Sequence, residues 1–219
     1  MAVKDFMTKR VVYVSPETTV AAAADIMRDK ELRRLPVIEH DKLVGLITEG
    51  TMAEASPSKA TSLSIYEMNY LLNKTKVGDI MIKNVLTVSK YASLEDAIYI
   101  MLQNKVGVLP VVDNDQISGI ITDKDVFRAF LEISGYGQAG IRIGLEVPDT
   151  PRVLEKIANL IASENLNIER TIVAPKNDTV LRVELQVEGE IGIEQLKEVF
   201  VEAGFTVTEI AETEAKELD

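Results

Sequence analysis

The chain has 219 residues, 46% hydrophobic and 27% charged, with 24 Lys and Arg against 35 Asp and Glu and no cysteine. This is the composition of a globular chain long enough for one large or two small domains. It excludes disulfides, thiolate metal sites and a cysteine nucleophile, and the net charge of −11 argues against duplex nucleic acid as a partner, because counterion release needs clustered cations.

The charge is uneven. Residues 1–133 carry 16 Lys and Arg against 18 Asp and Glu, whereas residues 134–219 carry 8 against 17. A near-neutral first part can hold a small anion locally, and the acidic second part reads as a solvated surface. No apolar run approaches the roughly 18 residues of a membrane span, and Met1-Ala2-Val3-Lys4-Asp5 is no signal peptide. A cytoplasmic protein with no membrane partner is therefore expected.

In chain order, Val3 to Met7 is a short apolar turn and Val11-Val12-Tyr13-Val14 reads as a brief strand ended by Ser15-Pro16. From Thr19 the pattern turns helical, with Val20, Ala23, Ala24 and Met27 at i, i+3, i+4 and i+7. Strands are expected at Leu35–Ile38 and Leu43–Thr48, then a short helix. Ser56-Pro57-Ser58-Lys59-Ala60-Thr61 is a polar loop, either a solvated linker or the mouth of a cleft lined by small hydroxylated residues. A connecting helix follows over Leu63–Lys74, with Ile65, Met68, Leu71 and Leu72 on one face.

The next fifty residues repeat the first. Laid without a gap, residues 77–126 match residues 3–52 at about a third of their positions. Val77-Gly78-Asp79-Ile80-Met81 falls on Val3-Lys4-Asp5-Phe6-Met7, Leu109-Pro110-Val111-Val112 on Leu35-Pro36-Val37-Ile38, and Gly119-Ile120-Ile121-Thr122 on Gly45-Leu46-Ile47-Thr48. In this copy Ser93 and Asp96 make a capping-box start for a helix carrying Leu94, Ala97, Ile98 and Met101. Two copies imply a paired module with clefts between them.

That repeat length, the element order and the phrases Leu-Pro-Val-Ile and Gly-Ile-Ile-Thr-x-x-Asp resemble the CBS domain, over residues 3–130. The resemblance implies a paired (Bateman) module, a regulatory receptor for adenosine-containing ligands such as AMP or ATP, with no cofactor and no enzymatic activity. It also assigns ribose and phosphate contacts to Thr122 and Asp125. A carboxylate accepts from two vicinal hydroxyls, and the amides of a helix N-terminus meet phosphate oxygens. The plainer reading of Thr122-x-x-Asp125 is a helix cap with a carboxylate near the positive helix end.

The first copy keeps Thr48 but has Thr51 where the aspartate is expected, so its site is expected to be weaker or empty. Arg33 and Arg34 precede Leu35-Pro36, where basic residues of this family contact phosphates through forked donors. They could equally be solvated, and whether they reach the cleft of Asp125 is open. The second copy has Gly107-Val108 instead.

Ser134–Gly140 has three glycines in seven residues and marks a boundary. Beyond it Ile141, Ile143, Leu145 and Val147 alternate with polar residues in a strand. Pro151 suits the first turn of a helix carrying Val153, Leu154, Ile157, Leu160 and Ile161. Strands at Asn167–Ala174 and Leu181–Val187, a helix with Ile193, Leu196, Val199 and Phe200 ended by Gly204, and a strand over Phe205–Ile210 complete βαββαβ, a ferredoxin-like order. Residues 211–219 form an acidic, frayed tail.

The phrase Val147-Pro148-Asp149-Thr150-Pro151-Arg152-Val153-Leu154, followed by Asn167-Ile168, resembles the ACT domain over residues 141–210. That family commonly has Gly where Arg152 stands, a departure that argues against a free amino acid ligand. Two CBS copies and one ACT-like unit, with the intervening phrase Ser-Pro-Ser-Lys-Ala-Thr-Ser-Leu-Ser, are similar to the acetoin utilization AcuB group, which implies a link to acetoin metabolism.

The expected architecture is thus α/β (α+β). It comprises CBS copies over 1–55 and 77–133, a linker with its helix over 56–76, a Gly-rich linker over 134–140, an ACT domain over 141–210 and the tail. A homodimer or higher homo-oligomer acting on a regulated protein partner is expected. A non-binding interaction protein and an accessory subunit of an acetoin-metabolising enzyme are the alternatives. His40 lies in the polar turn Glu39-His40-Asp41-Lys42 and suggests neither catalysis nor metal binding. The glycines around Tyr136 do not fit a phosphate-binding loop.

Overall fold

The computed structural model describes residues 1–55 and 64–216. The polar loop expected at Ser56–Thr61, the start of the connecting helix at Leu63, the side-chain face assigned to Ile65 and Met68, and the last residues of the acidic tail lie outside the described residues. The chain divides into two compact units, Met1–Phe127 and Arg128–Asp219. Each is described by itself.

The first unit repeats one succession twice. A one-turn helix, α1 (Val3–Phe6), is followed by α2 (Val20–Asp29), β1 (Arg34–Glu39), β2 (Lys42–Thr48) and α3 (Glu49–Ala55). After α4 (Ile65–Lys74) come α5 (Val77–Ile80), α6 (Leu94–Asn104), β3 (Val108–Asp113), β4 (Gln116–Thr122) and α7 (Asp123–Ser134), within which the division between units falls. Helix starts follow their capping residues. Thr19 Oγ1 accepts from Ala22 N, and Ser93 and Asp96 exchange hydrogen bonds in a capping box. Ser64 and Glu67 do the same for α4, and the Ser64 hydrogen bonds lower the Glu67 pKa below the usual carboxylate value.

Each β-hairpin turns on two residues in the left-handed region, His40-Asp41 (φ 49° and 62°) and Asn114-Asp115 (φ 52° and 63°). This is the backbone of a type I′ turn, whose twist suits antiparallel strands. The expected strand at Val11–Val14 shrinks to a single parallel bridge, Val14 to Val37. Only Val14 N to Pro36 O and Ile38 N to Val14 O form before the Ser15 turn carries the chain away.

The sheet order is β1-β2-β4-β3, with the hairpins joined at Lys42 opposite Gln116. Pro36 and Pro110 sit on the outer strands, where a missing N–H breaks no ladder. The copies exchange their opening segments. Thr8 pairs with Ile120 of β4, and Ile82 pairs with Leu46 of β2, each through two backbone hydrogen bonds of 2.9–3.0 Å. Val3 N donates to Ala92 O, and Val77 N donates to Thr18 O. Val3 and Val77 are fully buried, and Val77 packs in a core with Val20, Ala23, Met27, Leu35, Val37 and Ile47 of the first copy. Burial of one such side chain contributes about 1.5–3 kcal/mol.

This exchange explains the glycines of the repeated phrase. A Cβ on Gly119 would lie 2.7 Å from Met7 Sδ and 2.9 Å from the Thr8 carbonyl oxygen, and one on Gly45 would collide with Met81 Sδ.

The second unit runs β5 (Gly140–Pro148), α8 (Val153–Ser163), β6 (Asn167–Asn177), β7 (Val180–Glu188), α9 (Ile193–Glu202) and β8 (Thr206–Thr213). This is the βαββαβ succession, and its sheet is antiparallel in the order β6-β7-β5-β8. Ile141, Ile143, Leu145 and Val147 face the helices with Ile157, Ile161, Leu196 and Phe200. Gly204 (φ 85°) ends α9 as expected.

Two details differ from the sequence reading. Pro151 precedes the helix, because Arg152 takes a left-handed conformation (φ 70°) as the N-cap of α8. The tail is not frayed from residue 211: β8 continues to Thr213, whose hydroxyl donates to the carbonyl oxygens of Gln138 and Gly140, and Lys216 N donates to Gly137 O.

Candidate functional site

Strand β4 ends at Thr122, and α7 begins at once. Thr122 N and Thr122 Oγ1 both donate to Asp125 Oδ2 at 2.7 Å, and Asp125 N donates back to Thr122 Oγ1 at 3.3 Å. This reciprocal arrangement is a capping box, so the plainer reading of Thr122-x-x-Asp125 is realised. It leaves chemistry over: among the described residues Asp125 Oδ1 accepts no hydrogen bond, and it projects from the first turn of a twelve-residue helix.

The first copy makes the same cap without a carboxylate. Thr48 N donates to Thr51 Oγ1 at 2.9 Å, Thr51 N to Thr48 Oγ1 at 3.2 Å, and Thr51 Oγ1 to Thr48 O at 3.0 Å. The Thr51 hydroxyl thus spends its proton on its own helix start, and no anionic acceptor stands there.

A cleft of about 400 Å³ opens beside Thr48. Arg33, Arg34 and Thr48 line it from the first copy. Ile82, Asn84, Val85 and Leu86 and the turn Lys105–Val108 line it from the second. Arg34 and Thr48 are cross-strand partners, so register alone brings them together. The corresponding partner of Thr122 is Val108, which has no charge.

Arg33, Arg34 and Thr48 therefore share a cleft whose lining does not include Thr122 or Asp125. The link between the two places is Gly107. A Cβ there would lie 2.7 Å from Asp123 Oδ2 and 3.1 Å from Arg34 Nη2, so Asp123 at the start of α7 and the Arg34 guanidinium close over this glycine. Arg33 Nε lies 4.0 Å from Glu49 Oε2, both side chains being exposed. Such a pair is worth little in water.

Lys105 is not legible as a lining residue in the sequence, because a lysine after a helix reads as a solvated C-terminus. It holds a left-handed conformation (φ 54°) as the C-cap of α6, and this turns the chain into the cleft. The repeat alignment carries a signal for it, since 105–108 falls where Glu31–Arg34 falls in the first copy.

A second cleft of about 640 Å³ is lined by Ala24, Met27, Met52 and charges of both signs, Arg28, Glu31, Arg33, Glu49 and Lys124. Asp113 titrates low for a structural reason. The Ser89 hydroxyl donates to it at 2.6 Å, and Lys90 N and the Ser118 hydroxyl add to this against a smaller opposing effect of burial. Among the described residues no cluster of three or more His, Cys, Asp or Glu could hold a metal ion, and no helix is long and apolar enough to cross a membrane.

The CBS domain family model matches residues 3–58 and 77–132. A chloroplastic CBS domain-containing protein of Arabidopsis thaliana, CBSX1, is 36% identical over 156 residues. That match covers 62% of this chain and 66% of the relative, so the chain spans just under two thirds of its length. The structure of the Arabidopsis protein CBSX2 in complex with AMP superimposes with a TM-score of 0.52 at 34% identity, over 60% of this chain and 97% of the other. A Vibrio cholerae protein assigned to acetoin utilization, AcuB, gives a TM-score of 0.53 at 26% identity, over 63% of this chain and 98% of the other.

Proposed function

The chain belongs to the CBS domain family, and from that premise we propose that its repeat pair is a regulatory receptor for an adenosine-containing nucleotide such as AMP or ATP. The observation that carries this reading is Asp125. Its Oδ2 is held by Thr122 while Oδ1 remains to accept from a ribose hydroxyl at the start of α7. The cap fixes the carboxylate before any ligand arrives, which lowers the entropy lost on binding. Support comes from the likeness to CBSX2, a protein seen in complex with AMP. Thr122 and Asp125 are assigned to the ligand's ribose and phosphate, and Arg33, Arg34 and Thr48 to the phosphate of a nucleotide in the cleft that they line.

The βαββαβ unit is read as an ACT-like domain that couples ligand binding to a regulated protein partner within a homodimer or higher homo-oligomer. The likeness to AcuB favours a place in acetoin metabolism. A ligand acts in this scheme only through unequal affinity for two arrangements of the unit it occupies.

Titration calorimetry with AMP, ATP and a 2′-deoxy analogue, on the wild type and on Asp125→Ala, tests the reading. Each hydrogen bond to the carboxylate is worth roughly 1.5–3 kcal/mol, so affinity falls by about tenfold to a few hundredfold in the variant. The deoxy analogue binds more weakly to the wild type. Unchanged affinity, with only a lowered melting temperature, assigns Asp125 to helix capping and favours the second reading, an interaction protein with an empty cleft.

A further inference from the structure

The chain has seven methionines and no cysteine, so an oxidant that attacks sulfur meets thioethers alone. Two of them hold equivalent places in the repeat, since Met81 falls on Met7. Each follows a one-turn helix and lies against a glycine of the other copy, Met7 against Gly119 and Met81 against Gly45. Each also adjoins a crossing of the copies. Thr8 is paired with Ile120, and Ile82 with Leu46, by reciprocal backbone hydrogen bonds. Met7 and Met81 are half-buried, whereas Met27 and Met101 are 7% exposed and Met52 is 9% exposed.

The surroundings of these sulfurs suit a thioether and not its oxide. Met7 Sδ and the Thr8 carbonyl oxygen lie 2.7 and 2.9 Å from one point, the place of a Cβ on Gly119. Around Gly45 the neighbours are Met81 Sδ and the Ile82 carbonyl oxygen. A sulfoxide oxygen accepts hydrogen bonds and donates none, and the carbonyl oxygens beside it are acceptors too. The amides of the crossing already donate across it. A polar group without a partner is costly to keep from water.

We propose that Met7 and Met81 are paired oxidation sites that make the crossing of the two copies sensitive to hydroperoxides. The sulfur attacks the terminal peroxide oxygen, the O–O bond breaks, and the proton passes to the departing oxygen. Thioether and ROOH thus give sulfoxide and ROH, with sulfur losing the two electrons that the peroxide gains. The oxidised side chain turns toward water and uncovers the glycine and the hydrogen bonds next to it. Ile82 belongs both to a crossing and to the wall of the cleft beside Thr48, so the loosening reaches that cleft. Only this last effect rests on the nucleotide reading.

The experiment treats the full chain with hydrogen peroxide and follows each methionine by peptide mass spectrometry. Met7 and Met81 oxidise about tenfold faster, or more, than Met27, Met52 and Met101. The urea midpoint falls by about 1 M. Amide exchange quickens at Thr8, Ile120, Leu46 and Ile82 but not in β7. Methionine sulfoxide reductase reverses both changes, and AMP binds the oxidised chain more weakly than the reduced one. Met7→Leu/Met81→Leu keeps an apolar cover of similar volume, and its midpoint withstands the peroxide while the exposed Met1 is still oxidised.

Oxidation of Met7 and Met81 no faster than of the buried methionines overturns the proposal. So does oxidation of both with midpoint and exchange unchanged, or a loss that persists in the double variant. The wild-type spectra, melts and exchange decide the matter even if that variant fails to fold. AMP bound equally by both forms overturns the reach to the cleft. A reduced chain that binds no AMP sinks the nucleotide reading alone.

Discussion

Replacing Gly119 by alanine puts a methyl group where the opening segment of the first copy crosses β4. Its carbon would lie 2.7 Å from Met7 Sδ, 3.2 Å from Met7 Cγ and 2.9 Å from the Thr8 carbonyl oxygen. The methionine end can swing aside. The carbonyl cannot, because it accepts from Ile120 N at 3.0 Å while Thr8 N donates to Ile120 O at 2.9 Å. Relief must come from prying this pair apart. Overpacking of this kind costs about 1–3 kcal/mol, and weakening two backbone hydrogen bonds adds roughly 1 kcal/mol. The expected loss is about 2–4 kcal/mol, read as a fall of about 1–2 M in the urea midpoint.

Gly50→Ala is the matched control. Gly50 is helical in α3, and its nearest neighbour, Thr48 Oγ1, is 3.5 Å from an added Cβ, so the same change stabilises by about 0.5–1 kcal/mol through helix propensity. Adding Met7→Ala to Gly119→Ala relieves only the sulfur contact and leaves most of the loss. A loss below about 0.5 kcal/mol at Gly119, or equal effects at Gly119 and Gly50, would falsify the crossing as the reason for the glycine.

Arg152→Gly removes the strain of a left-handed arginine (φ 70°) and only an exposed ion pair with Glu155 at 3.7 Å. It should raise stability by about 0.5–1 kcal/mol in denaturant melts, and a loss would contradict the strain argument. Thr51→Asp places a carboxylate where Thr48 N and Oγ1 can both donate, as in the second copy. Calorimetry should then show a second adenosine equivalent, and unchanged stoichiometry counts against the ribose role of this position. Asp113 has a folded pKa below the usual aspartate value, chiefly through the Ser89 hydroxyl. Its contribution is therefore present above the unfolded pKa of about 3.9 and is lost as pH falls through the lowered folded value. Asp113→Asn should be less stable than the wild type near neutrality, and the gap should close in strong acid; a gap independent of pH refutes the linkage.

Much of the chain could be read from local order. The gapless repeat announced the paired hairpins, Ser93 and Asp96 placed the start of α6, and the alternation of Ile141, Ile143, Leu145 and Val147 identified the buried face of β5. Val11–Val14 misled, because β-branched residues favour a strand whether or not a partner of equal length exists, and here only Val14 finds one. Arg152 hid the helix start in a similar way, since sequence shows residue type and not the sign of φ.

The sequence by itself determined most of the elements, the two-copy plan and the residue types offered for binding: two arginines and one aspartate, unevenly shared between copies. Only the tertiary structure decided which of them meet. Two copies with nearly the same phrases can pair within themselves or with each other at equal local cost, so nothing in residues 3–8 or 77–82 says whose strand they join. The exchange of those segments, and the fit of Met7 and Met81 over Gly119 and Gly45, selects one arrangement. Lys105, Arg34 and Thr48 then line one cleft while Asp125 stands outside its lining. Long-range pairing and close packing hold that information, and neither has a period along the chain.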